Sequence, residues 1–139
     1  TFCAGSFSAG EHNDCVAMAK QFADRTHFVH LRSCYIFPNG NFTEASHLGG
    51  RGQLIELCRI FEKAEQEGKC NSGRRLPMRV DHGMTFTDEP GGVFDESNHG
   101  HNAGYTLLGR MFAMGQIQGV IATVDDELGI EYKQPGFYD

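Results

Sequence analysis

Three residues able to bind a metal ion stand at or near the carboxyl ends of three short apolar segments in this 139-residue chain. They are Cys3, His30 and Asp81, and His82 follows directly after the last of them. A thiolate, an imidazole and a carboxylate together can hold a divalent transition metal, and their softness alone favours zinc or iron. The residue types therefore predict a metal centre, whose fourth ligand we expect to come from outside this sequence.

Each of these residues also has an ordinary structural explanation. A single cysteine on a strand, such as Cys3, is most often a small buried hydrophobic residue. His30, taken alone, is more often a hydrogen-bonded core histidine than a ligand. Asp81 and His82 are more informative, because two titratable residues directly after a buried strand cost free energy unless they are paired or bound to a ligand.

Strands that alternate with helices are needed to position these ligands. β-Branched and aromatic residues predict three strands, over residues 1–5, 27–32 and 76–80. Apolar residues at helical spacing predict three helices, over residues 14–25, 54–68 and 107–115, and residues 120–124 either extend the third helix or form a short strand. Turn-forming residues predict loops over 33–52 and 84–104. This order predicts parallel strands with right-handed crossovers, whose carboxyl ends converge on one site.

Two complete βαβ crossovers and one further helix make up about three-eighths of a (β/α)₈ barrel. We therefore expect an α/β fold in which residues 1–124 are the C-terminal units of a single TIM-barrel domain, with the N-terminal units absent from this chain. Residues 125–139 are expected to form an acidic C-terminal tail. Because three parallel strands need cover on both faces, an open sheet completed by another chain is the alternative.

The composition excludes several classes of partner. The net charge is −6 and the twelve Lys and Arg residues are scattered, so no basic surface for nucleic acid or an anionic membrane is expected. The chain contains no run of about 18 apolar residues, so we expect no membrane span. Five cysteines without a CxxC motif favour a reducing compartment, and we expect a cytoplasmic protein.

Taken together, the motifs resemble the mannonate dehydratase family. Residues 79–83, Arg-Val-Asp-His-Gly, and the later Gly104-Tyr105 resemble the family's Arg-Pro-Asp-His-Gly and Pro-Gly-Tyr signature, with Val80 and Ala103 in place of the two prolines. Further stretches match the family in the same order along the chain: residues 3–6 with 13–14, residues 28–32, residues 44–48 and residues 108–110. The ordered set is more specific than any one motif.

The resemblance implies a TIM-type barrel of which this chain is roughly the C-terminal third. It implies dehydration of D-mannonate to 2-dehydro-3-deoxy-D-gluconate and water. It also implies Mn²⁺ or Fe²⁺ bound by Cys3, His30 and Asp81, together with a histidine earlier in the complete enzyme. We expect the complete enzyme to be a homo-oligomer that acts on a small sugar acid and has no nucleic-acid or membrane partner.

Dehydration of a sugar acid requires one group to remove the proton next to the carboxylate and another to protonate the departing hydroxyl. By their match to family positions, His82 and Tyr105 are the candidates, and the sequence leaves open which is the base. Arg79 and Arg32 are candidate clamps for the substrate carboxylate, because a guanidinium offers two parallel donors. Arg79 could equally serve as a structural ion-pair partner.

Two other functions remain open at this point. A sugar isomerase of the xylose-isomerase-like barrel group would also place metal ligands at strand ends. A barrel fragment that only associates with a partner or with itself would have no catalytic role.

Overall fold

The computed structural model describes residues 1–86 and 104–131. Its strands are β1 (Phe2–Cys3), β2 (Val29–Leu31), β3 (Cys34–Ile36), β4 (Phe42–Glu44) and β5 (Met78–Val80). Its α-helices are α1 (Ala4–Ser8), α2 (Cys15–Phe22), α3 (Leu54–Gln66) and α4 (Leu107–Leu128). Short 3₁₀ helices lie at Ala23–Arg25 and Asn71–Gly73.

The main sheet contains three parallel strands in the order β1-β2-β5. Its register places Cys3 beside His30, and His30 beside Arg79. The predicted parallel arrangement is therefore confirmed. The first strand is shorter than predicted, because the chain turns into α1 at Ala4, where a run of small residues offers no β-branched or aromatic side chain to extend the pairing.

The segment expected to be a loop over 33–52 contains an antiparallel hairpin of β3 and β4. The turn itself lies where Pro38, Asn39 and Gly40 predicted it, and Gly40 adopts a φ of 84° that favours glycine. Each strand has only three residues, and Tyr35 and Phe42 are about half exposed, so the hydrophobic alternation that marks a longer strand is missing. The hairpin delivers the end of β4 to the carboxyl end of the main sheet.

The core lies between the sheet and the helices, and α3 is central to it. The predicted apolar stripe of α3 is confirmed: Leu54, Leu57, Cys58, Phe61 and Ala64 are all buried. The helix contacts both α2 and α4. The Phe61 ring meets the Phe2 ring edge-on at a centroid distance of 5.2 Å, which anchors β1 directly before Cys3.

Helix α4 extends through residues 120–124 and ends at Leu128, so it includes the first four residues that were assigned to the tail. Burial of Val124 and Asp125 explains this continuation, and Gly129, with a φ of 67°, ends the helix. By length and composition α4 could cross a membrane. Three of its buried residues, Ala113, Ile117 and Val124, belong to the same hydrophobic cluster as the buried residues of α3. The expected loop over 84–104 and the rest of the tail lie largely outside the described residues.

Candidate active site

The three predicted metal ligands come together at the carboxyl end of the main sheet. One ligand atom each from Cys3, His30 and Asp81 lies within 4.8 Å of the others. His30 Nδ1 is 3.6 Å from Asp81 Oδ2. Metal bonds of about 2.0–2.3 Å place neighbouring donor atoms roughly 3–4 Å apart, so the cluster is close to the size that one cation requires. The sequence predicted this meeting from strand order alone.

The two carboxylate oxygens of Asp81 have different partners. Oδ1 accepts hydrogen bonds from the Tyr105 hydroxyl at 2.7 Å and from Arg79 Nη2 at 2.6 Å. Oδ2 faces His30 instead. The residue is only 5% exposed. The Tyr105 and Arg79 side chains therefore fix the carboxylate in an orientation that leaves one oxygen toward the other two ligands.

The electrostatics around Asp81 and His30 favour the protonation states in which these two side chains bind metal. Burial works to raise the pKa of Asp81, but the hydrogen bonds from Tyr105 and Arg79 outweigh it and hold the pKa below its ordinary value. Burial lowers the pKa of His30, partly opposed by the Asp81 charge. An ionised carboxylate and a neutral imidazole are the forms that a cation needs.

The two candidate proton-transfer residues are neighbours. The rings of His82 and Tyr105 lie 4.4 Å apart between centroids. The hydrogen bond to Asp81 raises the pKa of Tyr105, because that bond requires the phenol to keep its proton. Arg110 lies over the Tyr105 ring at 5.3 Å. The pair thus borders the metal cluster without belonging to it.

The close approach of two glycine-containing segments makes this pairing possible. Gly104 has a φ of 87°, and a Cβ there would lie 2.8 Å from the Cβ of His82. Its carbonyl accepts a 2.8 Å hydrogen bond from the backbone N–H of Gly83. Glycine at these positions therefore lets residue 105 lie against residues 81 and 82.

Arg79 and Arg32, the two candidate carboxylate clamps, have different environments. Arg79 has a side chain that is 42% exposed, and it hydrogen bonds both Asp81 and Tyr105. Arg32 forms a forked pair with Glu44, with Nε donating at 2.9 Å and Nη2 at 2.5 Å. The Nε and Nη2 edge of the Arg32 guanidinium is therefore occupied by Glu44. A substrate-binding role for Arg79 or Arg32 remains a prediction.

The sequence analysis assigned no role to two further residues that border the site, Glu44 and His47. Glu44, at the end of β4, lies 3.4 Å from His82 Nδ1 through its Oε1. His47 is only 1% exposed, and within the described residues neither ring nitrogen has a hydrogen-bond partner of normal geometry, although the ring lies near the backbone of Leu31. Burial lowers the pKa of His47. The only signal for both was their place in the matched stretch at 44–48.

Comparison with known proteins agrees with the geometry. Residues 1–130 match the sequence profile of the family described as D-mannonate dehydratase (UxuA). This chain belongs to the mannonate dehydratase family. The resemblance seen in the ordered motifs is thereby confirmed.

Curated mannonate dehydratases match most of the chain. Mannonate dehydratase 2 of Agrobacterium fabrum is 38% identical over 130 residues, which are 92% of this chain and 31% of that protein. Mannonate dehydratase of Saccharophagus degradans is 36% identical over 127 residues, which are 90% of this chain and 30% of that protein. The chain therefore spans about a third of the length of these relatives.

A solved mannonate dehydratase shares the fold. The crystal structure of mannonate dehydratase from Streptococcus suis serotype 2 superposes with a TM-score of 0.69 at 19% identity. The match covers the whole of this chain and 37% of the Streptococcus chain. The α/β arrangement with parallel strands is therefore that of a mannonate dehydratase segment.

Proposed function

We propose that this chain supplies the C-terminal β/α units of a TIM-barrel mannonate dehydratase, which converts D-mannonate to 2-dehydro-3-deoxy-D-gluconate and water. One observation carries the proposal. The Cys3, His30 and Asp81 ligand atoms meet within 4.8 Å at the carboxyl end of a parallel sheet, the end at which barrel enzymes place their active sites. Membership of the family selects this reaction over isomerisation.

The donor set fits a divalent cation. Cys3, His30 and Asp81 would hold Mn²⁺ or Fe²⁺, with a histidine from the remaining part of the enzyme as the fourth ligand. The hydrogen bonds on Asp81 Oδ1 support this assignment, because ligating carboxylates are themselves usually held by neighbouring donors. When bound, the cation supplies Lewis-acid stabilisation of the negative charge that develops on the substrate carboxylate.

We assign the two proton transfers of the reaction to His82 and Tyr105. One of them removes the proton from the carbon next to the carboxylate, and the other gives a proton to the hydroxyl that leaves the neighbouring carbon as water. The enol that remains then rearranges to the 2-keto acid, so atoms balance with no further reactant. The contact between the two rings, whose centroids lie 4.4 Å apart, supports assigning them to one substrate.

The anionic substrate requires positive charge in an otherwise acidic chain. We assign this role to Arg79, whose guanidinium is 42% exposed beside Asp81. Arg32 would contribute through whichever donors its pairing with Glu44 leaves available. We further propose a cytoplasmic homo-oligomeric enzyme without nucleic-acid or membrane partners, in which the barrel units continue to the end of α4.

Mass analysis of the product tests the proposed reaction. The complete enzyme containing these residues, stripped of metal and reloaded with Mn²⁺, should lower the mass of mannonate by one water. An unchanged mass with a rearranged sugar would favour the isomerase, and no conversion in any metal-loaded preparation would contradict the proposed reaction. Asp81→Asn should abolish turnover, whereas the matched control Asp126→Asn, an exposed acid on α4, should not change it.

A further inference from the structure

A groove between β5 and α4 has an acidic end that lies away from the candidate metal ligands. The groove has a volume of about 610 Å³, and Met78 and Ile117 are among its apolar lining residues. Glu62 and Glu65 line it together with Arg75, which precedes β5, so this end lies at the amino end of the strand. The candidate metal ligands meet at the carboxyl end of the sheet. The acidic end is therefore separate from the candidate active site.

Asp125 extends the acidic end by one turn of α4 beyond Ile121, another lining residue of the groove. Asp125 is only 6% exposed, and within the described residues its Oδ1 is buried without a hydrogen-bond partner. Burial raises the pKa of Asp125, and the Asp125 charge adds to the effect of burial in raising the pKa of Glu62. A buried carboxylate oxygen without a donor costs free energy, so this end of the groove lacks a donor.

The end of α4 lacks positive charge as well. The partial negative charge at the C-terminus of a helix favours basic side chains nearby, and the last turn of α4 contains none. That turn instead contains Asp125, the exposed Asp126, and Glu127, which pairs with Arg59. Of these three acids, Asp125 is the one that is buried. A cation beside Asp125 would therefore satisfy both its carboxylate and the helix end.

Arg75 does not neutralise the acidic end within the described residues. Its charge opposes the raised pKa values of Glu62 and Asp125, but Arg75 is exposed and forms no ion pair with either carboxylate in that part of the chain. A metal ion is not indicated either. Among the described residues, the candidate ligands close enough to share one ion are those of the cluster at the carboxyl end of the sheet. A basic protein side chain is therefore the cation that fits.

The part of the enzyme that precedes this chain is the occupant that the groove fits. The chain covers 31% of one curated relative and 30% of another, so most of such an enzyme lies outside it. In the described residues β5 has an unpaired edge, and the groove lies beside β5. A β/α unit that pairs with this edge would cover the groove and bring side chains to its amino end.

We propose that a preceding β/α unit docks in the groove and places a lysine or arginine against Asp125 and Glu62. This docking rests on the proposed function, in which the chain supplies the C-terminal units of a barrel. The described residues contain the repulsion between the two carboxylates, and the compensating cation arrives with the preceding unit. Charge at the amino end of the groove thereby selects the unit that closes the barrel.

Substitution of Asp125 in the complete enzyme tests the docking by the direction of a change in Tm. At about pH 8, at which an aspartate is ionised, Asp125→Asn removes one charge of a buried pair and should lower the Tm by several degrees. If the acidic end faces only its own like charges, the substitution should raise the Tm or leave it unchanged, and either result would overturn the proposal. Asp126→Asn, at the exposed acid next in sequence, is the matched control and should leave the Tm unchanged.

Two further variants determine where the cation comes from. Arg75→Gln removes the cation near the acidic end, and Lys133→Gln removes the single basic residue of segment 125–139. In double-mutant cycles, Asp125→Asn should lower the Tm as much in each of these backgrounds as in the wild type, because the pairing residue precedes this chain. Loss of the effect in either background would assign the cation to this chain and contradict the docking.

A crystal structure of the complete wild-type enzyme is a second measurement, which requires neither a folded variant nor turnover. It should show a lysine or arginine nitrogen from before residue 1 of the same subunit within about 4 Å of a carboxylate oxygen of Asp125 or Glu62. A groove filled by another subunit, or carboxylates that contact only water or residues of this chain, would overturn the proposal. Because the result does not depend on dehydration of mannonate, failure of the proposed function is distinguishable from failure of the docking.

Discussion

At the level of single residues, Asp81 connects the candidate metal ligands with the candidate proton-transfer pair. Its Oδ1 is occupied by Tyr105 and Arg79, whereas its Oδ2 faces His30. A substitution of Tyr105 should therefore have two effects. It should change the rate of proton transfer, and it should change the orientation of the candidate metal ligand Asp81.

Tyr105→Phe removes the hydroxyl and keeps the ring. We expect kcat to fall by about 10²- to 10⁴-fold, the usual contribution of a general acid or base. We also expect the affinity for Mn²⁺ to fall by no more than about 10- to 100-fold, because Asp81 loses one orienting donor but retains Arg79. Steady-state kinetics and Mn²⁺ titration by electron paramagnetic resonance measure the two effects separately.

Tyr35→Phe on the exposed hairpin is the matched control and should change neither quantity, since Tyr35 is 52% exposed and lies on β3. If Tyr105→Phe retains full kcat, the hydroxyl has no part in proton transfer.

The sequence singled out the candidate ligands that the structure brings together, but not their full surroundings. Cys3, His30 and Asp81 were singled out because each stands at or near a strand end, a position that can be predicted from the local sequence pattern. Glu44 could not be assigned a role in this way, since its approach to His82 depends on a hairpin whose three-residue strands carry no clear alternation. Its contact is a product of tertiary packing.

At the level of elements, α3 was the most predictable part of the chain. The i, i+3, i+4, i+7 spacing from Leu54 to Phe61 is a direct consequence of helical geometry, and the structure buries that stripe. The first strand and the tail boundary were less predictable, because strand length depends on pairing partners and helix ends depend on burial of the last turn.

Phe61→Ala tests how far this core supports the site. Removing a fully buried phenylalanine that contacts Phe2 should lower the free energy of unfolding by about 3–5 kcal/mol, measured by denaturant unfolding. The matched control Ile55→Ala lies on the exposed side of the same helix and should cost much less, since Ile55 is 41% exposed. Equal losses for the two variants would show that the α3 stripe is not the centre of the core.

The contact between α3 and α4 should make stability depend on pH. Burial, with Asp125 and Glu65 nearby, raises the pKa of Glu62 to about 7. A carboxyl group with a raised pKa stabilises the folded state below its unfolded value of about 4.5, and this contribution is lost as the pH rises through 7. The unfolding free energy should therefore decrease over that interval.

Glu62→Gln should remove this dependence, because the amide does not ionise. Allowing for partial solvent screening, we expect a gain of about 1–2 kcal/mol in unfolding free energy above pH 7 and almost none below pH 4.5. Thermal unfolding across the pH range measures it. Glu67→Gln is the control, since that exposed carboxylate is paired with Lys69 and its pKa is lowered. A gain that is the same at every pH would contradict this account.

At the level of the whole molecule, the sheet has two unpaired edges in the described residues, at β1 and at β5. Beside β5, a groove of about 610 Å³ lies against α4, with Met78, Val80, Ile117 and Ile121 among its lining residues. In the proposed barrel, further β/α units would cover the two sheet edges and the groove.

The chain produced alone should therefore expose apolar surface. We expect it to increase the fluorescence of a hydrophobic dye and to form aggregates of mixed size in size-exclusion chromatography, whereas the complete enzyme should bind little dye and elute as one defined oligomer. Dye binding that is equally weak for both would show that the groove is closed without additional units.

The most direct test of the central claim is Co²⁺ binding followed by absorbance in the complete enzyme. We predict one ion per chain with a thiolate-to-cobalt absorbance band that disappears in Cys3→Ser, and at least about 10-fold weaker binding in His30→Ala and Asp81→Asn. The exposed-acid control Asp126→Asn should bind as the wild type does. Wild-type binding without a thiolate band, or undiminished affinity in Asp81→Asn, would contradict a centre built from these three residues.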